Sequence, residues 1–561
     1  IRTGFNKRYR FNAQGEADQI LQDFDIKAGK QEVLWGTFGS GYLELDPDNF
    51  LNVTSMFSRV TDDTTINQLG VREDTGLDVE QTRNSYNFIG RTVFFNQLTG
   101  DHRNLGDTQA RFQWNASGGF GRRDEPDRRF IEQFTDEQLV FRATRFYSDL
   151  NQYYVGGTSS VRFPLYEAFE STAYGSFGFN GGFQDRDFTA RRFVHQQLGN
   201  NQLVGDPEVI FDDLNMGTIS TIREVTRIED SYAASNTLLG GYAQLETPIA
   251  PWLRFLGLLR FEAFRQQVQS QSPFSESQDP SLLSSTNRTD LDPLPSANFA
   301  FQINDEMFVK LGYGMTVIRP AIRELAPFLY RDFVRGWNIE GNPDLQRTRV
   351  QNAEARYEYY FGGTDLIAAT IFYKYFKNPI EFVIFNQVNS SAGYANAEKA
   401  WLVGGEVELR LGFGRFHEKL DRIFFVGNVA VMESRTTLPA GAGISGNLER
   451  PLFNQSPFVT NLSLRFDDPG SRVMVGLVYN AFGKRIVEAG SAAGDFIIPD
   501  VFELPQHLLD FIVTWKPTPH VKLGLKWKNI AFAKKRYQQG AEQVLLDNFG
   551  TTVSIGAEYI Y

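Results

Sequence analysis

Hydrophobic and polar residues alternate one by one along much of this chain. Over 551–561, Val553, Ile555, Ala557, Tyr559 and Tyr561 share one face, and Thr552, Ser554, Gly556 and Glu558 the other. Residues 521–529 set Val521, Leu523, Leu525 and Trp527 against Lys522, Gly524, Lys526 and Lys528. Residues 401–411 set Val403, Val407, Leu409 and Leu411 against Glu406, Glu408 and Arg410. Residues 351–361 set Ala353, Ala355, Tyr357, Tyr359 and Phe361 against Asn352, Glu354, Arg356 and Glu358. Ala110, Phe112, Trp114 and Phe120 likewise oppose Gln109, Arg111, Gln113, Asn115 and Ser117. A period of two belongs to β-strands, whose successive side chains point to opposite faces.

The pattern predicts twenty strands: 1–11, 33–45, 49–58, 83–95, 107–120, 152–163, 170–183, 232–246, 253–265, 295–303, 307–317, 351–361, 365–376, 401–411, 423–434, 458–466, 472–482, 504–516, 521–529 and 551–561. Short connections (46–48, 304–306, 362–364, 467–471, 516–520) alternate with long ones such as 184–231, 318–350, 377–400 and 530–550. Soluble domains join their elements through about 4–6 residues, so this many long connections is foreign to them. Long loops at one end and tight turns at the other mark an outer-membrane barrel, whose tilted strands need about 9–11 residues to cross the bilayer. No unit of fixed length recurs, which speaks against a propeller or solenoid.

A closed barrel accounts for both faces. In lipid every backbone donor and acceptor must be paired, and closure removes the sheet edges. The apolar set then meets acyl chains, and the charged set lines a wet lumen. Tyr357, Tyr359, Trp515, Trp252, Tyr559 and Tyr561 fall near strand ends on the short-turn side, where an aromatic girdle belongs. Tyr559 and Tyr561, aromatic residues ending an alternating last strand, also suit recognition by outer-membrane assembly machinery.

Composition narrows the function. The 561 residues carry 56 Lys and Arg against 67 Asp and Glu, a net charge of −11. That balance opposes nucleic-acid binding, which needs a basic face. With no Cys there is no disulfide framework or thiol nucleophile, and the five His include no pair at metal-ligand spacing. No apolar run reaches the roughly 20 residues of a membrane helix. The Asp-rich stretches LDPDNF (45–50) and RTDLDP (288–293) lack the spacing of a Ca²⁺ loop and read as turns. No Ser/His/Asp set or carboxylate pair emerges, so neither an enzyme, a metal site nor a cofactor is expected.

The stretches YGMTVIRPAIRELAPFLYRDF (313–333) and EGNPDLQRTRVQNAEARYEYY (340–360) resemble the barrel domain of TonB-dependent outer-membrane receptors. FQWNASGGFGRRDEPDRR (112–129), GFNGGFQDRDFTARRF (178–193), GYAQLETPIAPWLRFLGLLRFE (241–262) and YNAFGKRIVEAG (479–490) agree in order. Within that family the chain looks most like the SusC-type and carboxypeptidase-regulatory-domain branch. The resemblance implies a 22-stranded barrel filled by an N-terminal plug. Against the twenty strands here, a first hairpin and a plug are expected to lie ahead of Ile1, residues 1–561 being the barrel domain. It further implies active import of a bulky solute across a Gram-negative-type outer membrane, energised by TonB–ExbB–ExbD through that plug. Long loops are expected outside, with short turns and the C-terminus in the periplasm. Lipids are partners, and a surface lipoprotein lid or other envelope subunits are compatible ones. The alternatives are a passive channel, or a structural or secretion-related barrel.

On this reading Glu354, Arg356, Glu358, Glu406, Glu408 and Arg410 hydrate the lumen or hold the plug by polar contacts that rearrange at modest cost. Arg323, Arg331, Arg335 and Trp337 in 318–350, and Arg186, Arg191 and Arg192 in 184–231, are candidate loop contacts to an anionic or aromatic ligand. The IRPAIREL and EGNPDL stretches fit the family pattern whatever the substrate, which favours structural turns there.

Overall fold

The computed structural model describes residues 2–560 apart from 13, 74–75, 201, 272–284, 332–336, 364, 387–390, 440–446 and 494–495. Twelve strands occupy the first part of the chain: β1 (Arg2–Phe11), β2 (Ala17–Asp46), β3 (Asn49–Arg72), β4 (Gly76–His102), β5 (Arg111–Phe134), β6 (Val140–Ala168), β7 (Ser171–Gln197), β8 (Ser220–Glu224), β9 (Ser231–Ala250), β10 (Leu253–Gln271), β11 (Ser285–Gln302) and β12 (Met307–Ile318). The meander continues through Thr348–Gly362, Asp365–Lys377, Lys399–Gly412, Ile423–Thr437, Phe458–Asp468, Val473–Phe482, Gln506–Thr518, Val521–Lys528 and Thr552–Tyr559. Each of these long strands pairs antiparallel with its neighbours in one large sheet. Two short α-helices interrupt the strands, Pro207–Ile210 and Ile322–Leu325. Among the described residues no helix is long and apolar enough to cross a membrane, which says nothing of strands.

The expected twenty strands become a 26-stranded sheet, because several crossings break into two pieces and short strands join at the long-connection end. The expected strand 1–11 is corrected in kind. β1 pairs with residues 17–28 of β2 and with residues 545–548, so it closes the ring at the long-connection end instead of crossing the apolar band. Several expected loops are continuations of strands: β3 and β4 stay paired from Asn49↔His102 to Arg72↔Gly76. The segment 530–550 likewise holds a hairpin, Lys535–Gln539 with Glu542–Asn548.

Tight turns at the opposite end are fixed by short polar side chains. Asp46 Oδ1 accepts the Asp48 N–H at 2.9 Å, and Asp468 accepts from Gly470 and Ser471. After Phe361 the chain turns through Gly362 and Gly363, with φ of 144° and 53°, a region L side chains avoid. The outward face is apolar and bare: Phe179 is 64% exposed, Ile371 67% and Ile555 85%. Trp252, Trp515 and Tyr559 stand exposed toward the short-turn end.

Beyond the apolar band, 202–219 folds onto the outer face of β5 and β6, where Val140, Ala143, Leu203 and Ile210 form a small core. His195, at the far end of β7, lies 4.0 Å from the Phe211 ring. Burial first, and then the charges of Arg145 and Arg129 against the opposing Asp127, hold its pKa down at about 4. Nδ1 is buried and meets no hydrogen-bond partner among the described residues. A base depressed on folding stays neutral when folded, so the unfolded segment binds more protons below about 6.5. Packing here is therefore at full strength above that pH and weakens as pH falls toward 4. Hydrogen exchange corrected for intrinsic rates should show 203–211 less protected at pH 5 than at pH 7.5. His195→Phe should remove that difference; a wild-type profile flat with pH would refute the mechanism.

Candidate functional site

The inner face holds the chemistry, because pairing register puts the even-numbered positions of β9 through Lys399–Gly412 on one wall. Lys310 Nζ lies 2.8 Å from Glu358, and Arg356 bridges Glu358 at 2.7 Å to Glu408 at 2.8 Å. Arg410 meets the same Glu408 at 2.7 Å. Next along, Asn428 donates to Glu406 at 2.7 Å, Asn461 to Asn428 at 3.1 Å and Asn480 to Asn461 at 2.7 Å. Glu354 stands beside Gly312, where a Cβ would meet its Cγ at 3.1 Å. The six expected lumen residues thus line one wall, five of them in ion pairs or hydrogen bonds; Arg356, Glu358, Glu406 and Glu408 reach other strands, and Arg410 pairs within its own. Lys522 pairs with Glu558 at 2.9 Å farther round.

The described parts of the connection, 319–331 and 337–347, form a strap that folds inward against this wall. Both of its ends are stapled. Arg319 reaches Glu262 at 2.7 Å and Asp292 at 3.4 Å, while Arg347 reaches Asp292 at 2.7 Å and also bonds Asp290. Gln266 donates to the Pro320 carbonyl at 3.1 Å, and Arg288 to that of Leu345 at 2.6 Å. The Asp-rich 288–293 stretch, read from sequence as a turn, is therefore strand β11 presenting two carboxylates to the strap. Ile322, Leu325, Ala326 and Phe328 bury against Phe146, Phe188, Tyr232 and Val268 of the wall, which removes enough apolar surface to hold the strap down. Gly341 lets the two arms of the strap touch: a Cβ there would fall 2.0 Å from the Ala326 carbonyl oxygen.

Under the strap lies a cavity of about 270 Å³, lined from the wall by Arg123, Glu125, Ser148, Arg186 and Phe188 and from the strap by Arg323, Phe328 and Tyr330. The Phe188 ring sits 5.1 Å from Tyr232 and 5.0 Å from Phe328, the latter edge-on. Arg323 lies 4.3 Å above the Phe328 ring and donates to the Phe328 carbonyl at 2.9 Å. Arg192 stands 5.2 Å from that ring from another side, tied to Asp230 at 2.8 Å. Arg186 donates to the Gln152 amide oxygen at 3.0 and 2.5 Å. Glu125, 2% exposed, takes Arg123 at 3.2 Å and Arg128 at 3.4 Å. Farther up the wall Glu132, fully buried, is gripped by Arg83 at 2.8 Å, Arg142 at 3.0 Å and Arg72 at 3.7 Å.

The structure thus gathers Arg186, Arg192 and Arg323 of the seven expected loop candidates. Arg186, Arg191 and Arg192 belong to strand β7 and not to a loop. Arg191 points to the opposite face, chelated by Glu224 at 3.0 and 2.7 Å. Trp337 is 6% exposed, packed on Ile384 and Ala392, and lines a separate cavity together with Tyr9 and Tyr537. Arg331 forms strand Tyr330–Arg331 of a small four-stranded sheet, and Arg335 lies outside the described residues, as does Tyr561. Arg123, Arg319 and Arg347 were not singled out by sequence; their places depend on strand register and on the strap's inward course. In the layer of connections above, Glu381 is 3.2 Å from Arg450, and burial lifts its carboxyl to about 7 against that attraction. Among the described residues no cluster of metal-ligating groups occurs.

The model of the family "TonB dependent receptor-like, beta-barrel" matches residues 36–530. A search of curated proteins finds no match. Among solved structures, the siderophore receptor PiuA from Acinetobacter baumannii is 11% identical with a TM-score of 0.57, covering 100% of this chain and 82% of that one. The copper transporter OprC is 11% identical with a TM-score of 0.56, covering 99% and 80%. The ferric-catecholate import receptor Fiu from K12 E. coli is 9% identical with a TM-score of 0.55, covering 100% and 82%. At these identities the likeness is one of fold.

Proposed function

Because the chain belongs to the TonB-dependent receptor β-barrel family, we propose that it imports a bulky solute across the bacterial outer membrane. The observation that carries this reading is the family match over 36–530. The polar inner wall supports it: side chains already exchanging hydrogen bonds with one another let a plug or solute slide past at modest cost. In this reading the long connections lie at the extracellular end, the strap folded against the inner wall beneath them, and together they meet the solute first. A plug occupies the lumen, whether in the same polypeptide or a separate one, and TonB with ExbB and ExbD pulls on it. The lumen residues Glu354, Arg356, Glu358, Glu406, Glu408 and Arg410 are the plug-facing contacts, and Tyr559 with Tyr561 forms the assembly signal.

The test uses protein extracted from native membranes, in planar bilayers, with in-cell photocrosslinking to TonB. Import predicts no steady ungated current and a crosslink to TonB. A steady ohmic current with no crosslink would overturn it in favour of the passive channel.

A further inference from the structure

The cavity under the strap is matched to a kind of chemistry. Its volume, about 270 Å³, falls just below the roughly 300–1,000 Å³ of sites that enclose a whole drug-sized ligand. It therefore has room for one ring group of a larger solute. Aromatic side chains supply most of its apolar lining, with Phe188 and Phe328 set edge-to-face 5.0 Å apart, a geometry that continues naturally onto a third ring.

The charges are lopsided. Arg186 spends its donors on a neutral amide oxygen, and Arg323 on a backbone carbonyl and a ring face. Glu125 is engaged with Arg123, Arg128 and Ser148. Half-buried guanidiniums whose contacts are neutral leave an excess of positive potential, in a chain whose net charge is −11. Guanidinium forks match carboxylates in two-point contact. A cation would be repelled, a neutral sugar would leave the guanidiniums unmatched, and an inorganic anion would make no use of the rings.

We propose that this cavity is a subsite for an aryl carboxylate group carried by the solute, its ring seated against Phe188 and Phe328 and its carboxylate between Arg186 and Arg323. The proposal rests on the import reading only for the word solute. Because wall and strap each supply half of the contacts, an occupied subsite also ties the strap to the wall.

The experiment is calorimetric titration and saturation-transfer NMR of the whole protein in detergent micelles with benzoate, cyclohexanecarboxylate, benzyl alcohol and benzylamine. Benzoate is expected to bind. Loss of aromaticity in cyclohexanecarboxylate should weaken binding about 2–10-fold, loss of the charge in benzyl alcohol about tenfold or more, and benzylamine should not bind. Arg186→Gln and Arg323→Gln should each weaken benzoate about tenfold, and Arg191→Gln, on the opposite face, should change nothing. Hydrogen exchange over 322–328 reports whether the strap stays docked; if Arg323→Gln frees it, Arg186→Gln decides alone. Equal binding of benzoate and benzylamine, or benzoate affinity unchanged by Arg186→Gln, overturns the proposal. Binding as expected in a protein that passes steady ungated current would remove the import reading and leave the subsite standing.

Discussion

Replacing Glu132 with Leu should cost about 3–5 kcal/mol of stability, the penalty for stripping one partner from a buried ion cluster. Glu132 is fully buried on the inner wall, and its two carboxylate oxygens receive Arg83 and Arg142, with Arg72 at 3.7 Å. Without the carboxylate the largely buried Arg83 and Arg72 are left facing each other, with the more exposed Arg142 beside them. Leu fills the volume and answers none of the charge. Glu132→Gln keeps an acceptor and should lose less. Reversible urea unfolding in micelles, followed by the heat-modifiable gel shift and tryptophan emission, gives the difference. A Leu variant with the wild-type midpoint and slope would mean that the arginines re-pair elsewhere and that Glu132 holds nothing together.

The second large effect belongs to the outward face. Ile371, 67% exposed, stands midway along strand Asp365–Lys377, where the bilayer centre falls if the apolar band spans the membrane. Ile371→Arg should destabilise by about 2–4 kcal/mol in lipid vesicles. Ser463→Arg, on the inner face between Val426 and Val478, should stay within about 0.5 kcal/mol, as polar positions away from special features do. Equal costs at the two positions would refute the assignment of faces.

That assignment was legible from sequence because a strand has one strict period. Where one face meets lipid and the other water, as at Val403, Val407 and Glu406, Glu408, the letters report the geometry directly. Beyond the apolar band the pattern is shorter and easier to miss. β2 reaches back to Ala17, well before the expected start at 33, and Phe24, Ile26 and Ala28 alternate there with Asp23, Asp25 and Lys27 in a run too brief to span a bilayer by itself. The strap was opaque for another reason. Its arginines and apolar residues are held by partners far away in sequence, as Arg319 is by Glu262 and Phe328 by Phe146, and no local pattern encodes such contacts. Arg186 and Arg323 were singled out by type alone; that they share a cavity depends on the strap lying inward.

The strap also fixes an order of assembly. Hairpins such as β3–β4 zip from their turns, each new pair adjacent to the last, so the cost of closing loops stays small. Docking the strap instead brings together residues 137 apart along the chain, as Arg192 and the Leu329 carbonyl are. Its platform, formed by β5, β6, β7, β9, β10 and β11, must already be paired before those contacts exist. A chain refolding in micelles should therefore acquire its strand signal first and its pocket last, passing through a paired sheet whose inner cavity has yet to form.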